Sequence, residues 1–326
     1  MKVAIGIDVG GTSIKFGLFS REGELLGKSS MPTEVENGAF VTFDRMRDRV
    51  HRIIDDSTVE AADLVGVGIG VPGPVREENF VPHCVNLQWK EVAVATEMQR
   101  RLRVPVRVEN DANVAALGES WQGIGRGLKN LVLITLGTGV GGGIIANGHI
   151  LSGAHGAGGE IGHMPLLERP LARRCNCGGN TCLELVCSAT GIVARTQEKL
   201  REDSAAAASC ILQRKSGWDA KTVFEVAAAG DALAVEIVRE TGTYLGRACA
   251  LIASVCDPEL FAIGGGVSAA GDLLLEPTRR AYRACAFSAC VETPLQIAAL
   301  GNDAGIYGAA RLALQAAEEK EGAETC

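Results

Sequence analysis

VAIGIDVGGTSIKFGLFS, residues 3–20, sets the reading of the whole chain. Residues 3–9 form a short apolar run with β-branched side chains, which predicts a strand. Gly10-Gly11-Thr12 makes a tight turn, and IKFGLFS alternates as a second strand. The glycines therefore tip a β-hairpin. Dinucleotide-binding and P-loop motifs instead need a helix directly after their glycines. The pattern returns further along: LVLITLG (131–137) reads as a strand, Thr138-Gly139 as a turn and GGGIIANG (141–148) as a strand. We read this as an internal duplication of one phosphate-binding hairpin; chance likeness between two glycine-rich hairpins is the plainer alternative. Turns of this kind offer backbone N–H groups, with the Thr12 and Thr138 hydroxyls, to phosphate. Asp8, at the end of the first strand, is placed to hold magnesium through water. Lys15 either offsets phosphate charge or faces solvent.

The rest of the chain supports a large α/β protein. With 326 residues there is room for two domains, and 47% hydrophobic against 22% charged residues describes a globular chain. A net charge of -7 argues against a primary role on nucleic acid or anionic membrane. No apolar run reaches the roughly 18–20 residues of a membrane span. Asp8 and the glycines interrupt any signal-peptide core at the start. Eleven cysteines, an odd number without a framework spacing, fit a reducing cytoplasm better than a disulfide scaffold. A third strand is expected near 25–29, a helix over 39–56, a buried strand over 64–72 and a helix over 91–102. VRVEND (106–111) reads as a strand, and Asp111 or Asn113 as the cap of a helix running to Trp121. Further helices are expected over 188–200, 232–255, 269–285 and 302–318, with FAIGGG (261–266) as a strand whose bare backbone suits packing against adenine and ribose. Ala205–Ala208 reads as a surface loop.

Two groups carry candidate chemistry. His163, Cys175, Cys177 and Cys182 lie within GHMPLLERPLARRCNCGGNTC, 162–182. One imidazole and three thiols at that density suit a closed, structural zinc site, and Gly178-Gly179 suits the turn between them. Buried free thiols are the plainer alternative. Glu160 and Glu184 bracket the group and are placed to bind a small polar ligand. The second group is Glu109-Asn-Asp-Ala-Asn113, where a strand gives way to a helix and side chains point into clefts. Asp111 there can orient a hydroxyl and accept its proton during phosphoryl transfer. A plain helix cap is the alternative. Asn110 can both donate to and accept from sugar hydroxyls.

Taken together, Asp8-x-Gly-Gly-Thr-x-x-Lys15, the ENDAN segment, LGTGVGGG (136–143), Glu160-x-x-His163 and CNCGGNTCLE resemble the ROK family of repressors, open reading frames and sugar kinases, over essentially residues 3–315. The resemblance implies an α/β, two-domain actin-like (hexokinase-like) ATPase fold, with nucleotide and sugar in a cleft. The expected domains are 1–112 with the helix near 302–318, and 113–301 with the zinc loop. It implies Asp111 as general base, and Gly73, Asn86, Asn110, Glu160, His163 and Glu184 as sugar contacts. It implies Asp8, Gly10, Gly11, Thr12, Lys15, Thr138, Gly139 and Gly265 as ATP–magnesium contacts, and His163, Cys175, Cys177 and Cys182 as zinc ligands. Thr181 stands where the family's zinc loop usually has a second glycine. Family repressors carry a DNA-binding module before the first strand, which here begins at Val3; a kinase is therefore the expected function. The expected substrate is D-glucose, phosphorylated from ATP. Kinases of N-acetylglucosamine, N-acetylmannosamine, fructose or allose are the alternatives, and a sugar sensor without catalysis is a third class. A cytoplasmic homo-oligomer without nucleic-acid or membrane partners is expected.

Overall fold

The computed structural model describes residues 1–202, 209–214 and 217–324. The loop expected over Ala205–Ala208 lies outside the described residues. The chain folds as two compact units. Unit 1 comprises Met1–Lys129, Gly143–Gly159 and Ala299–Cys326, and unit 2 comprises Asn130–Gly142 and Glu160–Ala298. A boundary at residue 112 would cut a helix that unit 1 keeps whole, and residues 143–159 also belong to unit 1.

Unit 1 begins with β1 (Val3–Val9), β2 (Ser13–Ser20) and β3 (Leu25–Pro32), followed by α1 (Gly38–Asp55) and β4 (Leu64–Val71). A hairpin, β5 (Phe80–Cys84) and β6 (Trp89–Ala93), precedes α2 (Val94–Leu102), β7 (Val106–Asn110) and α3 (Asp111–Gln122). The first sheet has the order β3-β2-β1-β4-β7, with β1 antiparallel to β2 and parallel to β4, and β4 parallel to β7. Asp8 pairs with Lys15 across the hairpin, as the turn at Gly10–Thr12 requires.

The two faces of this sheet are built differently. Val3, Ile5, Ile7 and Val9 of β1 join Phe16, Phe43, Met46 and Val50 in one buried cluster under α1. Each such side chain, fully buried, stabilises by about 1.5–3 kcal/mol. The opposite face carries Ala4, Gly6, Gly66, Gly68 and Gly70, and against it lies α9 (Ala304–Glu324). A side chain at Gly68 would drive into the carbonyl of Ala309, and one at Gly6 into that of Ile306. The alternation of large and absent side chains in β1 and β4 is thus what admits a helix at close range. Gly118 of α3 and Gly308 of α9 let those helices touch backbone to backbone in the same way. Glu119, fully buried, accepts the N–H groups of Ile124 (3.0 Å), Ala299 (3.1 Å) and Leu300 (2.7 Å). It fixes the point where the chain re-enters unit 1.

The chain continues through β8 (Leu131–Leu136), β9 (Val140–Ala146) and β10 (His149–Ile150). Unit 2 then contains α4 (Glu184–Cys187), α5 (Ala189–Glu202), α6 (Ala220–Ala228), α7 (Ala232–Cys256), β11 (Leu260–Gly264), α8 (Asp272–Cys285) and β12 (Leu295–Ile297). The second sheet has the order β10-β9-β8-β11-β12, with β11 parallel to both β8 and β12. Numbered from the start of each half and leaving out the β5–β6 hairpin, both sheets read third, second, first, fourth, fifth strand. The duplication expected from the two Gly/Thr hairpins is therefore present in the topology. No described helix is long and apolar enough to cross a membrane.

Two expectations are corrected. The helix expected over 91–102 begins only at Val94, because residues 89–93 pair with 80–84 as a hairpin. Trp89 drives that pairing: it is buried, with its ring edge-on to Phe43 at 5.2 Å. The cap of α3 is neither Asp111 nor Asn113. Asn110 caps it, its Oδ1 accepting the N–H groups of Ala112 (2.9 Å) and Asn113 (3.2 Å).

Candidate active site and metal centre

In unit 1 the candidate residues gather at the carboxyl ends of three neighbouring parallel strands. Asp8 of β1 is level with Gly70 of β4, and Gly70 with Glu109 of β7. Two strand spacings of about 4.8 Å separate the Asp8 row from the start of the Asp111 turn by roughly 10 Å. Carboxyl ends of parallel strands are where α/β proteins bind ligands.

The Asp8 carboxylate lies 3.9 Å from the Lys15 ammonium. Burial pushes its carboxyl above the ordinary value, Lys15 opposes that, and the charge of Asp303 adds to it. Gly305, in the first turn of α9, makes room for it: a Cβ there would sit 2.7 Å from the Asp8 carboxyl carbon. Lys15 donates to the Asn302 carbonyl (2.7 Å), and Lys28 donates to both Asp303 oxygens (2.7 Å each). Lys15 thus anchors the chain segment beside Asp8, and is not simply solvent-facing. At the hairpin tip, Gly10 donates to Ser13 O (3.0 Å) and its own carbonyl accepts the Thr33 hydroxyl (2.6 Å). Gly11 and Thr12 are exposed. Asn86 reaches this tip, its carbonyl 3.6 Å from where a Gly11 side chain would begin.

The ENDAN turn is tightly wired. Asn110 Nδ2 donates to Gly73 O (3.0 Å) while its Oδ1 caps α3, so its amide is largely committed before any ligand arrives. Asp111 Oδ1 accepts the N–H of Ala112 (2.8 Å). Burial pushes the Cys84 thiol up, and the charge of Asp111 adds to that shift, which places Cys84 in the field of the candidate base.

In unit 2 the four metal candidates converge, with ligand atoms all within 4.8 Å of one another. Cys175 Sγ and His163 Nδ1 are 3.3 Å apart, and Cys177 Sγ and Cys182 Sγ 3.4 Å. Tetrahedral zinc bonds of about 2.3 Å to sulfur and 2.0 Å to nitrogen put donors roughly 3.5–3.8 Å apart, so the cluster fits such an ion. Gly178 holds φ at 90°, where a side chain would be strained, and the loop closes through Gly178 N–H to Cys175 O and Cys175 N–H to Gly179 O (2.8 Å each). Thr181 fits without distortion, its carbonyl accepting from Leu166 (2.9 Å) and Leu167 (3.1 Å). Burial pushes the Cys175 thiol up to about 12 and raises Cys182, whereas the Gly179 N–H lowers Cys177. The other His163 nitrogen, Nε2, stands 3.6 Å from Glu160 Oε2. A carboxylate behind a ligating imidazole is the usual way its ring is oriented.

Glu184 links this loop to the second Gly/Thr turn. Its Oε1 accepts from Cys175 Sγ (3.2 Å) and its Oε2 from Val140 N–H (3.0 Å). A side chain at Gly139 would collide with that oxygen. Thr190 Oγ1 donates to Thr138 O (2.7 Å), so the turn is held from two sides. Nearby, Ala189, Phe224, Ala228, Gly266, Val267 and Leu273 line an apolar cavity of about 470 Å³, within the size range of small-ligand pockets. Gly266 opens onto this cavity. Gly265 is constrained for another reason: at φ 81° its Cβ position meets the backbone of Leu136.

The structure adds residues that the sequence reading left out: Asn302, Asp303 and Gly305 around Asp8, Cys84 beside Asp111, and the cavity-lining Phe224 and Leu273. For the first two a signal was there, since Asn-Asp-Ala at 302–304 repeats Asn-Asp-Ala at 110–112.

The ROK family model matches residues 4–316. A glucokinase of Halalkalibacterium halodurans is 41% identical over 95% of this chain and 94% of its own. An N-acetylmannosamine kinase of Escherichia coli is 31% identical over 95% of this chain and 98% of its own. Among solved structures, a ROK family glucokinase from Streptomyces griseus in complex with glucose and AMPPNP aligns with a TM-score of 0.75 at 33% identity, covering 96% of this chain and 99% of that one. The duplicated α/β architecture is the actin-like ATPase fold. With that fold, these strand-end carboxylates and a match along nearly its whole length, the chain belongs to the ROK family.

Proposed function

We propose that this protein is an ATP-dependent glucokinase that phosphorylates D-glucose at its 6-hydroxyl. The full-length similarity to glucokinases carries this reading, and the geometry of each unit supplies matching machinery. Asp111 is the general base. Its carboxylate takes the proton as the sugar oxygen bonds to the γ-phosphorus and the bond from that phosphorus to the bridging oxygen breaks, releasing ADP. Positioning contributes much of the acceleration in such a transfer, and the wiring of the ENDAN turn fits that need.

Asn110 keeps one amide hydrogen for the sugar, and Gly73 and Asn86 line the same region of unit 1. In unit 2, Glu160 and Glu184 accept from sugar hydroxyls. His163 serves the metal through Nδ1 and faces the ligand side with Nε2. The Gly10–Thr12 and Thr138–Gly139 turns donate to the nucleotide phosphates. The apolar cavity beside Gly266 takes the adenine, and Gly265 sets the backbone that leads into it. Asp8 would hold the magnesium that accompanies ATP, which supplies charge neutralisation on the phosphates. His163, Cys175, Cys177 and Cys182 would hold zinc, which orders the loop between Glu160 and Glu184.

A coupled ADP-release assay tests the reading, with ATP, Mg²⁺ and glucose, mannose, fructose, allose, N-acetylglucosamine and N-acetylmannosamine. Glucose should show the highest kcat/KM. If an N-acetylated sugar exceeds it by more than about tenfold, roughly 1.4 kcal/mol in transition-state binding, the substrate assignment is wrong and the chain sides with its N-acetylmannosamine kinase relatives. Turnover of no sugar would leave a sensor.

A further inference from the structure

Glu109 is 2% exposed, and neutral groups hold its carboxylate. Oε1 accepts the Asn110 N–H (2.7 Å) and Asn113 Nδ2 (3.1 Å), and Oε2 accepts the Ser152 hydroxyl (2.5 Å). Burying an ionisable group this way is expensive, and an apolar residue of similar volume would be cheaper for stability alone. The arrangement carries a second cost. An acceptor-only carboxylate obliges Asn113 to turn its amide nitrogen inward, and Asn113 Oδ1 is left buried without a hydrogen-bond partner. Departures from local rules of this kind concentrate at functional positions.

What Glu109 joins explains the cost. Two of its donors, Asn110 and Asn113, flank Asp111 in the turn that starts α3. The third, Ser152, belongs to the loop that runs on to Glu160. That loop is itself seated in unit 1. Leu151 N–H donates to Ile144 O (2.8 Å), Gly158 N–H donates to Ser152 O (2.8 Å), and Gly156 packs so closely on the Val75 carbonyl that no side chain would fit. One carboxylate therefore fixes the turn that presents Asp111 against the segment that leads into Glu160.

We propose that Glu109 is a positioning residue for phosphoryl transfer, acting through Asn110, Asp111 and the Ser152 loop. The proposal rests on the glucokinase reading, and it makes Ser152 the second half of the same device. Misplacing a reacting group by about an ångström can cost on the order of 10²-fold in rate. Glu109→Gln retains an acceptor for the two amides, and its new NH₂ can donate to Ser152 Oγ, so it should keep kcat within about threefold. Glu109→Ala removes every bond. Ser152→Ala, a small change at a partly exposed site, removes one.

The test compares these three variants and the Glu109→Ala/Ser152→Ala double variant by steady-state kinetics and by hydrogen-exchange mass spectrometry of residues 110–113 and 151–158. Glu109→Ala should lower kcat by about tenfold or more while the KM for ATP holds. Ser152→Ala should lower it several-fold, with faster exchange in 110–113 as well as in its own loop. The double variant should be no slower than Glu109→Ala, since both act through one bond. Should Glu109→Ala fail to fold, Ser152→Ala decides. Unchanged kcat together with unchanged exchange at 110–113 in Ser152→Ala would overturn the proposal, as would equal damage from Glu109→Gln and Glu109→Ala. If the wild-type protein turns over no sugar, the glucokinase reading fails instead, and the exchange measurement still decides whether Glu109 couples the two segments.

Discussion

As the proposed general base, Asp111 must be fixed in place and still accept a proton. The turn meets the first need through Asn110, which caps α3 and ties it to Gly73. Asp111→Asn keeps the shape and removes the basicity. It should therefore keep glucose affinity, measured by calorimetry, and lower kcat by about 10²–10⁴-fold, the usual worth of a general base. A variant that keeps more than a tenth of the wild-type kcat would remove Asp111 from that role. Asp111 stood out in the sequence as a carboxylate at a strand-to-helix junction, where helix capping was the alternative use. The true cap did not, because Asn110, Asp111 and Asn113 are all good capping residues and only backbone geometry chooses between them. Glu109 and Ser152 were hidden for a different reason: they meet across forty-three positions of chain.

At the scale of elements, the metal loop was the most legible and the β5–β6 hairpin the least. The four candidate metal ligands stand out by residue type and spacing, and the loop's hydrogen bonds bear out the turn expected at Gly178-Gly179. The hairpin carries Pro82 in one strand and adjacent Lys90 and Glu91 in the other, so neither strand alternates cleanly; Trp89 decides the pairing through a contact with α1 that no local pattern reveals. The expectation for the metal loop is about one zinc per chain by elemental analysis, as one four-ligand site demands. Cys177→Ser should lose the metal and weaken sugar binding, because Glu184 touches both Cys175 and the Val140 backbone. Since zinc is held by thiolates, metal binding must release protons, and the binding enthalpy should vary with the ionisation heat of the buffer. Metal-free protein with full activity, or a buffer-independent enthalpy, would contradict this account.

Over the whole molecule, two sheets of the same strand order present their Gly/Thr hairpins, and the repeat is legible in the sequence. It was visible because the hairpin turns need glycine and the strands around them need buried β-branched residues. The small-residue face of the first sheet was not legible in any local pattern, because what lies against Gly6 and Gly68 is α9, from the far end of the chain. This architecture transfers a phosphoryl group from ATP to glucose. Phosphorus NMR of the product formed from ATP and glucose tests it most directly. The product should be a phosphate ester whose phosphorus couples to the two protons on C6. Phosphate on C1, or free inorganic phosphate with the sugar untouched, would contradict it.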